Sequence, residues 1–333
     1  MTVFPQPKKD SQPLWRQVQR ENFSRFEPLA DFLGLSLDLK KKILQKSRFS
    51  LNVPRRLANK IAKNTLDDPI LRQFVPLEEE LLPFPDFVPD PVQDEMFRQT
   101  KKIIHKYKGR ALILASSACA MHCRFCFRQN FPYETEEKGF EEELNYIRGD
   151  ESLIEIILSG GDPLSLSESS LANLFQSLEK IPHLKRIRFH SRFPIGIPER
   201  IDSSFLELLS SCSKQIFFVI HCNHPKELDS DVVKALKKIQ YLAIPVLNQS
   251  TLLKGVNDDE KTLLDLSETL LETGISPYYL HELDQVEGAG HFAVPRGRSQ
   301  ELVRYLQANL SGFGVPRLVR EISGQASKTF INT

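Results

Sequence analysis

"RALILASSACAMHCRFCFR", residues 110–128, holds an unbroken apolar run followed at once by a cysteine cluster. The run from Arg110 to Ala118 predicts a strand, because a short apolar stretch without helical spacing suits a sheet covered on both faces. The cluster carries Cys119, Cys123 and Cys126, three of the five cysteines in the chain, spaced C-x3-C-x2-C. Working outward, similar runs recur at 153–161, 185–192, 215–222, 242–250 and 275–284. Amphipathic stretches separate most of them, among them 166–181 and 257–274. In the second stretch Leu263, Leu266 and Leu270 share one helical face. Asn257 or Asp258 is expected to cap its start and Gly274 to end it. Strands alternating with helices mean βαβ units and a parallel sheet. Six such units are too few for an eight-fold barrel, so an open sheet or a partial barrel is expected.

Every predicted strand ends in polar residues. The cysteines follow the first, and "SGGDPL" (159–164) follows the second. His190 and Arg192 end the third, "HCNH" (221–224) the fourth, Asn248 and Gln249 the fifth, and His281, Glu282 and Asp284 the sixth. In parallel α/β proteins the carboxyl ends of the strands form the active face. Six successive polar ends are hard to explain by packing, and they predict a catalytic face.

The flanks are simpler. Residues 1–75 read as a helical region, 76–104 as a Pro-rich acidic connector, 105–310 as the barrel and 311–333 as a C-terminal segment. Between Pro76 and Phe97 there are five prolines and no base, so no regular helix is expected there. Between Lys40 and Lys63 there are nine Lys or Arg and no acid, read as solvated helix faces rather than a dock for an acidic partner. A formal net charge of +1 gives no bulk attraction to nucleic acid or to a membrane surface. No run of 18 apolar residues predicts a membrane span, and the first 15 residues have no apolar core for a leader. The cysteine cluster is too tight for an extracellular disulfide framework, which favours a reducing cytoplasm.

The thiols themselves leave more than one chemistry open. A structural zinc site needs four ligands, and would have to borrow His122, Cys212 or Cys222. Three thiolates also suit a [4Fe–4S] cluster with one iron left open to a substrate or cofactor. A mononuclear hydrolase built on His190, His221, His224 and His281 would leave the cysteine triplet unexplained. Cys212 and Cys222 read as ordinary buried thiols.

The cysteine motif after the first strand and the Gly-Gly-acid-Pro loop after the second resemble the radical S-adenosylmethionine enzymes. "HKYKGRALILASSACAMHCRFCFR", "LSGGDPL", "HSRFPIGIPERI", "LNQSTLLKGVND", "PYYLHELDQVEGAGHF" and "GVPRLVREISGQASKT" resemble the lysine 2,3-aminomutase family within that superfamily. The likeness runs over about residues 105–329, and 53–76 is similar to the family's N-terminal region. The resemblance implies a partial (β/α)6 TIM-like barrel with an N-terminal helical extension. It implies a [4Fe–4S] cluster on Cys119, Cys123 and Cys126. S-adenosylmethionine would lie near Ser159, Gly160, Gly161 and Asp162, with His190, Asn248 and Gln249 also facing cofactors. Pyridoxal phosphate would form a Schiff base with Lys328 and place its phosphate on Arg110, with Tyr107 nearby. Arg128 would hold the substrate carboxylate, and Asp284 and Glu321 its ε-ammonium. The implied reaction is conversion of L-lysine to β-lysine: a deoxyadenosyl radical takes a hydrogen from the β-carbon, nitrogen migrates from the α- to the β-carbon with the pyridine ring stabilising the radical, and the product radical takes the hydrogen back.

Within the family the chain looks like the short form, which implies β-lysine for modification of translation elongation factor P by a lysyl-tRNA-synthetase-like ligase. A reducing electron donor is a further implied partner. Free β-lysine for osmolyte or secondary metabolism, or an iron–sulfur electron-transfer or binding protein, are the alternatives. The long forms carry extra cysteines that bind zinc between subunits. The last cysteine here is Cys222, so neither that zinc nor its dimer is expected. Glu321 stands where the long forms have aspartate.

Overall fold

The computed structural model describes residues 12–45, 47, 49–133 and 139–333. The segment examined for a leader falls largely outside these, as do Lys46 and Arg48 of the basic run.

One sheet of nine strands runs in sequence order. Its strands are β1 (Ile103–Tyr107), β2 (Arg110–Ser116), β3 (Glu155–Gly160), β4 (Arg186–Ser191), β5 (Gln215–Ile220), β6 (Val246–Thr251), β7 (Ser276–His281), β8 (Arg317–Arg320) and β9 (Thr329–Phe330). β2 to β8 are parallel, while β1 and β9 are antiparallel to their single neighbours. The two edge strands do not pair with each other, so the barrel is open. The six strands expected from the sequence are β2 to β7. β1, β8 and β9 were not foreseen: "IIHKY", "RLVR" and "TF" are too short or too polar to show a period. Their extended state comes from the strand edges they meet.

Alternation along the strands separates two environments. On β4, Ile187 and Phe189 are buried in the main apolar core, while Arg186, Arg188 and His190 line an interior cavity. Phe189 packs against Phe175 and Phe205 of the helices Glu168–Glu179 and Ser203–Ser210. Parallel register then aligns Leu112, Ile157, Arg188 and Phe217 as one layer of the cavity wall. The apolar layer thus lies between sheet and helices, and the inside of the sheet is partly polar.

The helix Glu260–Glu272 has Asp259 as its cap, accepting from the Thr262 N–H at 2.9 Å, rather than Asn257 or Asp258. Asn257 is drawn away by the Asn223 and Thr251 carbonyls, and Asp258 accepts from Gly255 N–H. Gly274 does end the helix, at φ +72°.

The N-terminal helices share the barrel's core. Trp15 meets Phe193 edge-on with ring centroids 5.4 Å apart, and Leu57 and Phe74 belong to the same apolar cluster as Phe218. The basic run is less solvated than expected. Arg56 pairs with Glu199, Asp229 and Asp231, and Lys60 with Asp229 at 2.8 Å, so these cations clamp the helices onto the barrel. Pro76–Phe97 forms only two short 3-10 turns, Glu78–Leu81 and Asp94–Phe97, and Val88 bridges to Val286 beyond β7. No helix among the described residues is long and apolar enough to cross a membrane.

Candidate active site

The cavity inside the sheet measures about 810 Å³ and takes wall residues from β1 to β7, β9 and the loops between them. At its carboxyl-end rim lies the cysteine loop. Gly160 and Gly161 let the loop after β3 press against it. A Cβ on Gly161 would sit 2.6 Å from the Ala118 carbonyl oxygen, and one on Gly160, at φ +109°, 2.7 Å from that of Ser116. Backbone bonds join the same segments, from Gly161 N to Ser116 O at 2.6 Å and from Asp162 N to Ala118 O at 2.9 Å. The Asp162 carboxylate accepts from Leu164 N, Ser191 Oγ, Arg192 N and Phe193 N, all at 3.1 Å or less. Burial pushes its pKa up to about 6 despite those donors. Its role in the fold is to join the loops after β3 and β4.

All three thiols line the cavity. Burial pushes Cys126 up to about 11, with the Cys123 charge adding to it, and pushes Cys119 well above the ordinary thiol value. Thiolates here therefore call for a positive group among them. One is built in: Arg192 Nη1 lies 2.8 Å from Cys123 Sγ, and its Nη2 lies 2.8 Å from Glu227. Among the described residues no three His, Cys, Asp or Glu side chains meet as they would around one metal ion. Three soft donors on one cavity-lining loop suit an iron–sulfur cluster.

Across the cavity is a chain of charges. The antiparallel pairing of Arg320 with Thr329 places Glu321 and Lys328 opposite each other, and Lys328 Nζ lies 2.6 Å from Glu321 Oε2. Glu321 Oε1 takes Lys106 Nζ of β1 at 2.9 Å. Lys106 also reaches Asp94 Oδ1 at 2.6 Å, and Asp94 Oδ2 accepts from Arg128 Nε at 2.6 Å. Burial works against the Glu321 charge, but Lys328 and Lys106 outweigh it and hold the carboxyl at about 2. Asp284, in the loop after β7, has no such partner among the described residues. Burial, with the Glu321 charge adding, pushes it up to about 7.

The remaining predicted residues divide by strand register. Ser159, His190 and Gln249 line the cavity. Asn248 does not: it faces the opposite side of β6 and is buried. Its amide bonds the backbone N–H and carbonyl of Cys222 at 2.9 and 3.0 Å. Arg110 lies over the Tyr107 ring at 4.6 Å, at the amino ends of the strands. His190 and His281 are held well below the ordinary histidine value by burial, and His221 down to about 3, so all three are neutral. His190 Nε2 is buried without a partner among the described residues.

Several wall residues were missed from the sequence. Asp94 looked like one more acid of the connector, and Lys106 had no strand to assign it. Glu155, Arg186 and Arg188 form a partly exposed ion group at the amino ends. The spacing of Arg186, Arg188 and His190 at every second residue was the signal available for two of them.

Fold and site together define an open, partial α/β barrel with a cysteine cluster and polar strand ends around one cavity. No protein-family model matches the chain. It is 39% identical to the L-lysine 2,3-aminomutase of Haemophilus influenzae over 99% of both chains. It is 41% identical to that of Escherichia coli over 89% of this chain and 88% of the other. A radical SAM methyltransferase from Sphaerobacter thermophilus aligns over 66% of this chain and 68% of its own, at a TM-score of 0.48 and 16% identity, too distant to add weight. The chain belongs to the L-lysine 2,3-aminomutase family, and it is an isomerase of the aminomutase type.

Proposed function

We propose that the chain converts L-lysine to β-lysine by moving the amino group from the α- to the β-carbon. The observation that carries this reading is the sharing of one cavity by Cys119, Cys123 and Cys126, by Lys328, by Arg128 and by the acids Asp284 and Glu321. The three cysteines hold a [4Fe–4S] cluster, and the loop Ser159–Asp162 with Gln249 and His190 faces S-adenosylmethionine. Lys328 carries pyridoxal phosphate, with its phosphate on Arg110 beside Tyr107. When bound, these groups would supply the hydrogen-abstracting radical and a conjugated ring that stabilises the unpaired electron while the nitrogen moves between the substrate's α- and β-carbons. The chain's own task is to bind, orient and shield. Arg128 takes the substrate carboxylate, for which a guanidinium fork is the matching shape. Asp284 and Glu321 take the ε-ammonium, which is costly to bury unless paired.

The short-form resemblance supports a cytoplasmic supply of β-lysine to the ligase that modifies elongation factor P, with a reducing protein as electron source. Two experiments test the reading. The anaerobically reduced chain with S-adenosylmethionine, pyridoxal phosphate and L-lysine should yield 5′-deoxyadenosine and β-lysine. Absence of both sinks it. Lys328→Ala should abolish turnover and remove the absorbance band of the bound pyridoxal group; a retained band means another lysine carries it. For the cellular link, a strain lacking the chain should lose the β-lysyl mass increment on elongation factor P.

A further inference from the structure

Resting on that reading, we infer that Asp94 and Lys106 are positioning residues that join the two ends of the substrate site into one charge network. The charges run Arg128, Asp94, Lys106, Glu321, Lys328, with 2.6, 2.6, 2.9 and 2.6 Å between successive partners. Asp94 bonds Arg128 through Nε alone, and both Nη groups have no hydrogen-bond partner among the described residues. Those groups are not buried orphans either, and Arg128 lines the cavity. A carboxylate can therefore meet the guanidinium on its two Nη groups while Asp94 keeps hold of Nε. Asp94 is itself buried and would repel an incoming carboxylate if its charge were not balanced.

Lys106 provides that balance. Its ammonium has three donors, and all are taken, by Asp94, by Glu321 and by the Val92 carbonyl at 2.7 Å. It is a fixed cation rather than a mobile one. It also occupies one oxygen of Glu321, whose other oxygen takes Lys328, so the substrate ammonium is left Asp284 and shares the second Glu321 oxygen with Lys328. The two ends of the substrate are thus read by groups that Lys106 ties together, which makes the network a length gauge.

The test measures equilibrium binding by calorimetry to the holoenzyme with three probes. L-lysine has both ends, L-norleucine lacks the ε-amine and cadaverine lacks the carboxylate. Asp94→Asn should weaken L-lysine and L-norleucine by about tenfold or more and leave cadaverine unchanged. Asp94→Glu should recover part of the loss. Lys106→Met should act in opposite directions at the two ends, with L-norleucine weaker and cadaverine tighter, because Asp94 and Glu321 lose their shared counter-ion. A structural defect would instead weaken all three probes in parallel, and that result, or no change for L-norleucine in either variant, overturns the inference. Failure of the unaltered chain to turn over L-lysine is a different result: it removes the aminomutase reading and the inference with it. Normal turnover with parallel losses in the variants removes the inference alone.

Discussion

Asp284 and Glu321 share a cavity and a proposed ligand, yet they titrate at opposite extremes, about 7 and about 2. Both are buried carboxyls; the difference is that Glu321 has two lysine partners and Asp284 none among the described residues. Pairing with an ammonium requires an ionised carboxylate. The kcat/KM for L-lysine should therefore rise as pH climbs through about 7 and level above it. Asp284→Asn should flatten that limb and lower kcat/KM by about tenfold or more. A limb that survives the substitution assigns the titration elsewhere. The stability sign follows from the same shift. The folded chain binds the Asp284 proton more tightly than the unfolded chain, whose value is about 3.9. This contribution is full below that value and is lost as pH rises through about 7. Glu321 has the opposite sign: its contribution is present above the unfolded carboxyl value and is lost as pH falls towards about 2.

At the scale of elements, the cysteine loop is set by what presses on it. The family resemblance implies that Gly160 and Gly161 lie near S-adenosylmethionine. The tertiary contacts add a nearer one: the loop after β3 lies directly against the backbone of Ser116–Ala118. Gly161→Ala must displace one of the two, because the new Cβ would meet a carbonyl oxygen at 2.6 Å. The expected loss is about 1–3 kcal/mol by chemical denaturation, together with lower iron content after reconstitution. Unchanged stability and full iron loading would show that the loops part without harm. Arg192 acts on the same loop from β4's end. It bridges Cys123 to Glu227, so the thiol nearest it is the one whose thiolate is best supported.

Over the whole molecule, the N-terminal helices belong to the barrel's packing. Trp15 is buried against Phe193, in the loop after β4, and Arg200 lies over its ring at 4.8 Å. Trp15→Ala should destabilise the chain by about 3–5 kcal/mol while leaving kcat unchanged in the remaining folded fraction. Loss of kcat at full stability would instead place Trp15 in communication with the cavity. The acidic connector has a similar reach. Its Glu80 pairs with buried Arg124 of the cysteine loop and its Asp94 enters the cavity. A segment with little regular secondary structure therefore supplies part of the active-site wall.

Six parallel strands, the polar strand ends and the cysteine triplet were legible because they are local patterns: apolar runs of strand length, and residues fixed by short spacing. β1, β8 and β9 were not, because two to five residues carry no period and edge pairing decides them. Asn248 and Gln249 were indistinguishable as neighbours at a strand end, until register turned one towards Cys222 and the other to the cavity. Asp94 and Lys106 gave no local signal at all. What the sequence determined by itself was the order of units and the close spacing of three thiols in the loop 119–128. What only the tertiary structure decided was which distant charges meet, since ion pairs form between chain segments that spacing along the sequence does not relate.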